Sequence, residues 1–355
     1  MATIRLRGDK WQARIQIKGF TPTAKSFVSR ADASAWAKIT ESEMLRGAYI
    51  KRTDAEQTTL REALERYERE ITPGKRGAAI EAYRLARWQK DKLATRSLAN
   101  LRGSDFATYR DKRQKEAAAA TVRLELALIS NLFNIARKEW GYEGLANPIE
   151  SIRMPTVRNA RDRVFLEGEE AWLMQALEPA TRGEDGLFVS GCGNVWLRPL
   201  IQLALQTAMR QGELLSLTWE NIDLKRRAAY LPMTKNGHSR DVPLTVEAIR
   251  ILEALPRTLR GSAFPTSANA VKLGFVRALN RARILYLADC AAQGVAPDNR
   301  MLADLHFHDL RHEATSRLAG KLQAHELAKV TGHRDLRMVM RYYHPKAEDL
   351  ARKLG

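Results

Sequence analysis

Apolar and polar side chains alternate along the first part of the chain, and this alternation predicts short β-strands. In WQARIQIKG, every second residue from Trp11 to Ile17 is apolar, and cationic or amide side chains fill the positions between them. Gly8-Asp9 separates this stretch from TIRLR and is typical of a hairpin turn. A helix from Asp32 to Leu45 is predicted to cover the apolar face of so small a sheet. The opposite face, with Arg14 and Lys18, is predicted to be exposed.

From Thr59 onward the hydrophobic period becomes that of a helix. Thr59 and Glu62 have the spacing of a capping box, and apolar residues recur at i, i+3, i+4 and i+7 from Leu60. Three more helical stretches follow, at roughly 78–93, 105–116 and 119–140. We therefore predict a helical bundle over 56–147, after a separate N-terminal domain over 1–55. Prolines and arginines then mark a basic linker over 148–162.

The third predicted domain, 163–355, is mostly helical and contains one hairpin. An apolar helix is predicted from about Trp196 to Met209. Two short strands, AAYLPM and SRDVPL, flank TKNGH, where Asn236-Gly237 is a strong hairpin-turn signal that places Lys235 at the tip. The predicted fold class is a multidomain α+β protein, mainly α with small antiparallel sheets.

The charge of the chain adds a partner to this picture. Lys plus Arg number 59 against 41 Asp plus Glu, which gives a net charge of +18 and an isoelectric point near 10.1. The excess is spread evenly over the parts divided at residues 55 and 160, so a single basic tail is excluded and duplex DNA is the predicted partner. A solvated basic surface without a ligand is the alternative. The candidate DNA-binding residues are Arg14, Lys18, Arg87, Lys90, Arg113 and Arg161.

Cysteine usage and hydropathy bear on the compartment. Cys192 and Cys290 lie far apart with no CxxC, so neither a disulfide framework nor a cysteine-rich zinc site is predicted. We find no apolar run of the length of a membrane span, and MATIRLRGDK lacks the apolar segment of a signal peptide. The expectation is a cytoplasmic bacterial protein that does not bind a membrane.

The decapeptide HFHDLRHEAT carries distinctive chemistry. His308, Arg311 and His312 have the i, i+3, i+4 spacing that shares one helix face. A zinc-binding HExxH helix would have glutamate at Asp309, and a permanently charged guanidinium would repel a bound cation. The same three groups favour an anion such as phosphate. A packed histidine pair without a ligand is the alternative that this segment alone leaves open.

Other motifs stand in a definite order around this segment. MRQGE follows the apolar helix, HDLR comes about a hundred residues later, and VTGH precedes RYYH so that a tyrosine lies nine residues after the histidine. In this order the chain resembles the tyrosine recombinases, the phage-type integrase family, from the linker to the C-terminus. The first two predicted domains resemble that family's arm-binding and core-binding domains in pattern rather than in motif. The residues that match its catalytic positions are Arg210, Lys235, His308, Arg311, His333 and Tyr342.

The resemblance implies a reaction on DNA. Tyr342 attacks a phosphodiester to give a 3′-phosphotyrosyl link, and Lys235 protonates the departing 5′ oxygen. Arg210 and Arg311 hold the non-bridging oxygens, which develop charge during the attack. No metal ion and no cofactor is then required, and the chain has no GxxxxGK[ST] phosphate loop.

Several residues beside this set have subsidiary or open roles. The resemblance implies that His308 assists proton transfer and that His333 hydrogen-bonds the phosphate. Glu213, on the first turn after the first arginine, is expected to orient basic partners rather than to react. Tyr343 adjoins the predicted nucleophile, and its own attack stays open although the spacing favours its neighbour. His312 matches no catalytic position of the family and is expected to pack or to hydrogen-bond on the helix surface.

The expected function is site-specific recombination of duplex DNA, for integration and excision of a prophage or genomic island. The resemblance implies a homotetramer on synapsed DNA, with a DNA-bending host protein and an excisionase as candidate partners. A type IB topoisomerase uses the same chemical groups, and a non-catalytic DNA-binding repressor on the same fold is the alternative from another class. The N-terminal domains argue against the first alternative, and the complete catalytic set argues against the second.

Overall fold

The structure is a computed structural model that describes residues 2–46, 53–157, 161–181, 191–232, 239–256 and 261–343. The chain folds as two units, Met1–Asn159 and Ala160–Gly355. The boundary between them falls inside the segment predicted as a linker, 148–162. The boundaries predicted within the first unit, at 55 and 147, remain predictions.

A three-stranded antiparallel sheet in the order β1-β2-β3 opens the first unit. Its strands are β1 (Ala2–Arg7), β2 (Lys10–Ile15) and β3 (Thr23–Phe27), and α1 (Arg30–Leu45) packs on one face. Ala13 and Ile15 are fully buried while Arg14 between them is exposed, as the alternation predicts. The predicted length of this strand is wrong. β2 ends at Ile15, and Lys18 lies in the following turn, where Gly19 has a φ of 94°.

Helices form the rest of the first unit. They are α2 (Thr53–Gln57), α3 (Leu60–Glu70), α4 (Ala78–Gln89), α5 (Gly103–Arg113) and α6 (Ala119–Lys138). The capping box of α3 forms as predicted: the Thr59 side chain accepts from the Glu62 N–H at 3.2 Å, and the Glu62 carboxylate accepts from the Thr59 N–H at 2.7 Å. Such a cap stabilises a helix by about 1 kcal/mol. α4 is shorter than predicted because the Asp91 side chain caps a new 3₁₀ turn at Lys92–Thr95.

α6 is the central helix of this bundle. Val122, Leu126, Ile129 and Phe133 are fully buried on one stripe, which matches the predicted helical period. Contrary to our expectation from the sequence, this helix is long and apolar enough to satisfy the length and composition of a membrane span. Its apolar stripe packs into the bundle core instead, as expected for a core helix.

The second unit is mostly helical around one small sheet. Its elements are α7 (Glu169–Ala176), α8 (Leu197–Thr207), α9 (Gln211–Leu215), β4 (Ile222–Asp223), β5 (Ala228–Leu231), β6 (Arg240–Pro243), α10 (Val246–Glu253), α11 (Ala268–Gln293), α12 (Asp309–Ala319), α13 (Ala324–Thr331) and α14 (Arg337–Met340). The sheet has the antiparallel order β4-β5-β6, with Leu231 opposite Arg240. The predicted hairpin therefore exists, although its tip, with Lys235, lies outside the described residues. The mainly α fold with small antiparallel sheets is confirmed.

Packing around α8 explains how distant motifs meet. Leu200, Ile201, Leu203 and Ala204 of α8 are buried in the core of the second unit, and α12 and α10 pack against this helix. α13 packs against both α12 and β6. The C-terminal end of α8, the first turn of α12, the end of α13 and strand β6 therefore lie together.

Candidate active site

Arg210 lies at the junction between α8 and α9. α8 ends at Thr207, Ala208 adopts a left-handed conformation with a φ of 52°, and Arg210 is the N-cap of α9. The Glu213 carboxylate accepts hydrogen bonds from the Arg210 backbone N–H at 2.9 Å and from Arg210 Nη1 at 2.8 Å. The RxGE motif is thus a helix start whose cap also fixes the arginine side chain. A left-handed alanine is uncommon and persists only where the surrounding structure holds it.

A further arginine, which the sequence analysis missed, shares this carboxylate. Arg240 on β6 donates to the two Glu213 oxygens at 3.0 and 2.8 Å, and its Nε donates to the Val330 carbonyl at 3.1 Å. Burial raises the pKa of Glu213, but the hydrogen bonds from Arg240 and from the Arg210 backbone outweigh it and bring the pKa to about 2. Glu213 is therefore ionised and binds both arginines. Its position suits the orienting role expected of it.

Arg311 is buried without a carboxylate partner among the described residues. It is 5% exposed, and its guanidinium donates to the main-chain carbonyls of Ala208 and Thr331, the latter at 2.6 Å. Burial, and then repulsion from Arg210, lower the pKa of Arg311 to about 9, so the group is still charged at neutral pH. A buried charge is unfavourable unless it is neutralised. This position therefore favours the binding of an anion.

The two histidines of HDLRH flank this arginine on α12. His308 is the N-cap residue of the helix, and the His308 and His312 ring centroids are 5.3 Å apart in an edge-to-face arrangement. The predicted helical spacing thus brings the two imidazoles together. Asp309 points inward at 1% exposure and accepts from the His306 N–H at 2.7 Å, which anchors the start of the helix.

Tyr342 lies against α12 within the same unit. Its hydroxyl contacts His312 Nδ1, and the centroids of the two rings are 5.7 Å apart. The Arg341 Cζ atom lies 4.9 Å from the centroid of the Tyr342 ring. Burial raises the pKa of Tyr342 against the opposing charge of Arg341, so the phenol is protonated at neutral pH. For Tyr343, the described part of the structure gives a backbone hydrogen bond to Met340 at 3.1 Å and no side-chain partner.

His333 follows the C-terminal end of α13. Gly332 ends that helix with a φ of 73°, and a β-carbon there would come within 2.7 Å of Arg240 Nη1. The Thr331 hydroxyl donates its one proton to the Leu327 carbonyl at 2.6 Å, so His333 Nδ1, at 2.6 Å, donates to that hydroxyl. Burial, and then the charges of Arg311 and Arg210, lower the pKa of His333 to about 4. An anion bound to those arginines would offset their charge and favour a protonated His333.

Comparison with known proteins decides the family. The model of the phage integrase family matches residues 167–349. The shufflon-specific DNA recombinase of Escherichia coli is 40% identical to this chain over 306 residues, which is 83% of this chain and 71% of that protein. The chain belongs to the phage integrase family. It is a tyrosine-type site-specific recombinase.

Solved structures agree with the fold of this recombinase. The lambda integrase dimer bound to a COC′ core site aligns with a TM-score of 0.61 and 20% identity, over 98% of this chain and 95% of that chain. The lambda integrase tetramer bound to a Holliday junction aligns with a TM-score of 0.59 and 19% identity, over 94% of this chain and 95% of that chain. At these identities the likeness shows the fold alone.

The predicted DNA-binding cations of the recombinase fall into two groups. Three are exposed side chains: Arg14, Lys18 and Lys90. Arg87 is half-buried, with its Nε 3.7 Å from the Glu125 carboxylate. These four side chains stay candidates for contact with DNA phosphates.

The remaining two cations are engaged inside the protein. Arg113 donates to Glu125 from Nη2 at 3.1 Å. Arg161 donates to Asp309 from Nε at 3.0 Å and from Nη2 at 2.8 Å, and to Asp304 from Nη1 at 3.0 Å. Both guanidinium groups are neutralised by carboxylates, which the basic composition of their surroundings did not reveal. The structure therefore argues against Arg113 and Arg161 as DNA contacts.

Lys235 and possible metal ligands complete the account of the predicted site. Lys235 lies outside the described residues, between β5 and β6. Among the residues that the structure describes, no group of three or more His, Cys, Asp or Glu side chains could hold a metal ion. The described cationic groups Arg210, Arg311 and Arg240, with His308, His312, His333 and Tyr342, form one cluster in the second unit.

Proposed function

We propose that this recombinase cuts and rejoins duplex DNA at specific sites through a 3′-phosphotyrosyl intermediate on Tyr342. The observation that carries the proposal is Arg311, a buried guanidinium held by two main-chain carbonyls and lacking a carboxylate among the described residues. A phosphodiester supplies the missing negative charge. Arg210 lies close enough to repel Arg311 electrostatically, so one phosphate can bind both.

The reaction begins when Tyr342 Oη attacks the phosphorus atom. A bond forms from Oη to phosphorus, and the bond from phosphorus to the 5′ oxygen of the next nucleotide breaks. Arg210 and Arg311 stabilise the charge that grows on the non-bridging oxygens. Lys235 is proposed to give a proton to the departing 5′ oxygen. A 5′-hydroxyl group from another strand then attacks the phosphotyrosine and rejoins the DNA.

The histidines act on the same phosphate. His333 can donate from Nε2 once a bound phosphate has offset the neighbouring arginine charges, because its Nδ1–H is already given to Thr331. His308 is proposed to assist proton transfer from the first turn of α12. The bond energy stays in the protein–DNA link, so we propose that no metal ion and no nucleotide cofactor is needed.

The assembly follows from the exchange of two duplexes, which needs four cleavages. We propose a homotetramer on synapsed DNA, supported by the fold likeness to the lambda integrase tetramer on a Holliday junction. We propose that residues 1–55 bind arm-type sites through Arg14 and Lys18, and that Arg87 and Lys90 contact core-type sites. The biological substrate would be a prophage, a genomic island or an invertible DNA segment in the bacterial cytoplasm. A DNA-bending host protein and an excisionase would assist.

The first prediction concerns the nucleophile. Binding sites would be selected from a randomised duplex library with the full-length protein and rebuilt as nicked duplexes that trap the covalent intermediate. We expect the wild-type protein and Tyr343→Phe to form a covalent 3′ adduct in the presence of a chelator. Tyr342→Phe should bind the same DNA and form none, because its ring lacks the attacking oxygen. Denaturing gels and peptide mapping of the adduct measure both results.

Three outcomes would contradict this proposal. Adduct mapped to Tyr343 would move the nucleophile, and an absolute need for magnesium would point to metal-assisted cleavage. Relaxation of plasmids that lack the selected sites, as efficient as relaxation of plasmids that carry them, would indicate a topoisomerase instead of a site-specific recombinase.

A further inference from the structure

His312 touches the predicted nucleophile, although it matches none of the predicted catalytic positions. His312 lies on the first turn of α12, and Tyr342 lies 30 residues further along the same chain. The His312 Nδ1 atom contacts the Tyr342 hydroxyl, and the two rings are inclined at 30°. The contact reaches the one atom of Tyr342 that would attack DNA.

The surrounding groups determine which partner donates. Arg341 Nη2 lies 3.3 Å from the same His312 Nδ1 atom and donates to the Arg161 carbonyl at 2.6 Å. A guanidinium can only donate hydrogen bonds, so Nδ1 carries a lone pair and the ring is the Nε2–H tautomer. The Tyr342 hydroxyl is therefore the donor, and His312 Nδ1 is its acceptor.

The neighbouring charges keep His312 in this state. His308 and Arg311 on the same helix and Arg341 on the tyrosine segment all disfavour a second positive charge, while Asp309 opposes them. Burial first, then His308 and Arg341, lower the pKa of His312 to about 4. The imidazole is thus neutral at physiological pH and remains an acceptor.

We propose that His312 is a positioning residue, whose Nδ1 accepts the hydrogen bond of the Tyr342 hydroxyl and holds the attacking oxygen within its own subunit, beside the arginines of the site. The inference rests on the proposed function. It adds a residue to the cleavage step and assigns that residue no contact with DNA. A loss of about 1 Å in the placement of a reacting atom can slow a reaction by about 100-fold.

The proposal predicts a difference between the two directions of the reaction. In cleavage, Tyr342 Oη is free and its direction depends on His312. In rejoining, the phosphate is already activated and the attacking group is a 5′-hydroxyl of DNA. A duplex with a 3′-p-nitrophenyl phosphate at the cleavage position allows rejoining to be measured without Tyr342, because nitrophenol replaces tyrosine as the leaving group.

The test compares His312→Ala and His312→Asn with the wild type in both assays. We expect His312→Ala to slow single-turnover cleavage by about 10- to 100-fold while DNA affinity and rejoining of the p-nitrophenyl substrate change by less than about threefold. His312→Asn should recover most of the cleavage rate, because its amide oxygen can occupy the place of Nδ1 as an acceptor. His325→Ala, an exposed histidine on α13, is the matched control and should leave both rates unchanged.

Several results would overturn the inference. Cleavage by His312→Ala within about twofold of wild type would remove the positioning role. Equal losses of cleavage and rejoining would indicate a general disturbance of the site, and an asparagine variant as slow as alanine would show that the acceptor is not what matters. A wild-type protein that neither forms adduct nor rejoins the activated strand would instead refute the proposed function itself.

Discussion

Two arginines, Arg113 in the first unit and Arg311 in the second, have opposite environments. Arg113 donates to the Glu125 carboxylate from Nε at 3.2 Å and from Nη2 at 3.1 Å, and Glu125 is only 2% exposed. Hydrogen bonds to Glu125 raise the pKa of Arg113. Arg311 meets the carbonyls of Ala208 and Thr331, and burial and Arg210 lower its pKa. The first charge is neutralised inside the protein and the second is not.

This difference separates a structural cation from a binding cation. A buried ion pair that loses one partner leaves an uncompensated charge, so Arg113 is needed for the fold. Arg311 is held by main-chain groups that keep it in place but do not cancel its charge. The unit therefore keeps an electrostatic deficit at one point, and a bound phosphodiester removes it. A positive charge by itself does not predict contact with DNA; the absence of a carboxylate beside it does.

The largest expected effect comes from substituting the two arginines in turn. Arg311→Met should reduce covalent adduct formation by about 1,000-fold or more, because a preorganised donor to the phosphate is lost. Its stability should change by only about 1 kcal/mol, since lost hydrogen bonds to two carbonyls are offset by removal of an unneutralised charge. Arg113→Met should lower the free energy of unfolding by about 3 kcal/mol because Glu125 is left buried. Denaturant unfolding and single-turnover cleavage measure the two effects.

Cleavage per folded molecule should survive in Arg113→Met. If instead Arg113→Met abolished cleavage at temperatures where it is folded, or if Arg311→Met unfolded the second unit, the distinction between the two arginines would fail. The exposed pair Arg250–Glu247 provides a control, because Arg250→Met should leave both stability and cleavage nearly unchanged.

Arg240 is an intermediate case, because it shares the Glu213 carboxylate with Arg210. Arg240→Met should slow cleavage by about 10- to 100-fold, since it frees Glu213 and removes the hydrogen bond that joins β6 to the Val330 carbonyl. Arg240→Lys should recover little of this rate, because an ammonium cannot bind both carboxylate oxygens in the same geometry. DNA binding and cleavage rates should be measured on the same duplex. A cleavage rate equal to wild type in Arg240→Met would show that Glu213 and Arg210 need no third partner.

The sequence predicted those parts of the molecule that depend on local pattern. The capping box at Thr59, the β5–β6 hairpin and the helical face of His308 and Arg311 follow from spacing along the chain. Arg240 could not be assigned, because it meets Glu213 only through the packing of β6 against α9 and α13. His312 was set aside for the same reason: its partner lies 30 residues away.

Local composition also misled in two ways. Arg113 and Arg161 stand among other cations, so they resemble DNA contacts, yet carboxylates from other elements neutralise them in the fold. The alternation that extends to Lys18 predicted a strand through that residue, but the backbone turns after Ile15, near a left-handed glycine at position 19. Sequence patterns show which side chains are available, and tertiary contacts decide which of them keep an unneutralised charge.

The smallest expected effect is a change in the pKa of His333. Burial is its largest cause and Arg311 the next, and together with Arg210 they bring the pKa of His333 to about 4 from an ordinary value of 6.5. Arg311→Met should raise this pKa but leave it below 6.5, because burial remains. Arg113→Met should leave it unchanged. NMR titration of the imidazole resonance that disappears in His333→Gln measures the shift.

The same change has a sign in stability. Between pH 6.5 and about 4, His333 is neutral in the native wild-type protein and protonated in the unfolded chain, so unfolding takes up a proton and stability falls as the pH falls through this window. Below about pH 4 both states are protonated and this contribution stops changing. In Arg311→Met the native pKa lies closer to 6.5, so the window is narrower and the acid loss is smaller. An unchanged pKa of His333 in Arg311→Met would show that burial alone sets it and that the charge of Arg311 is already neutralised in the free protein.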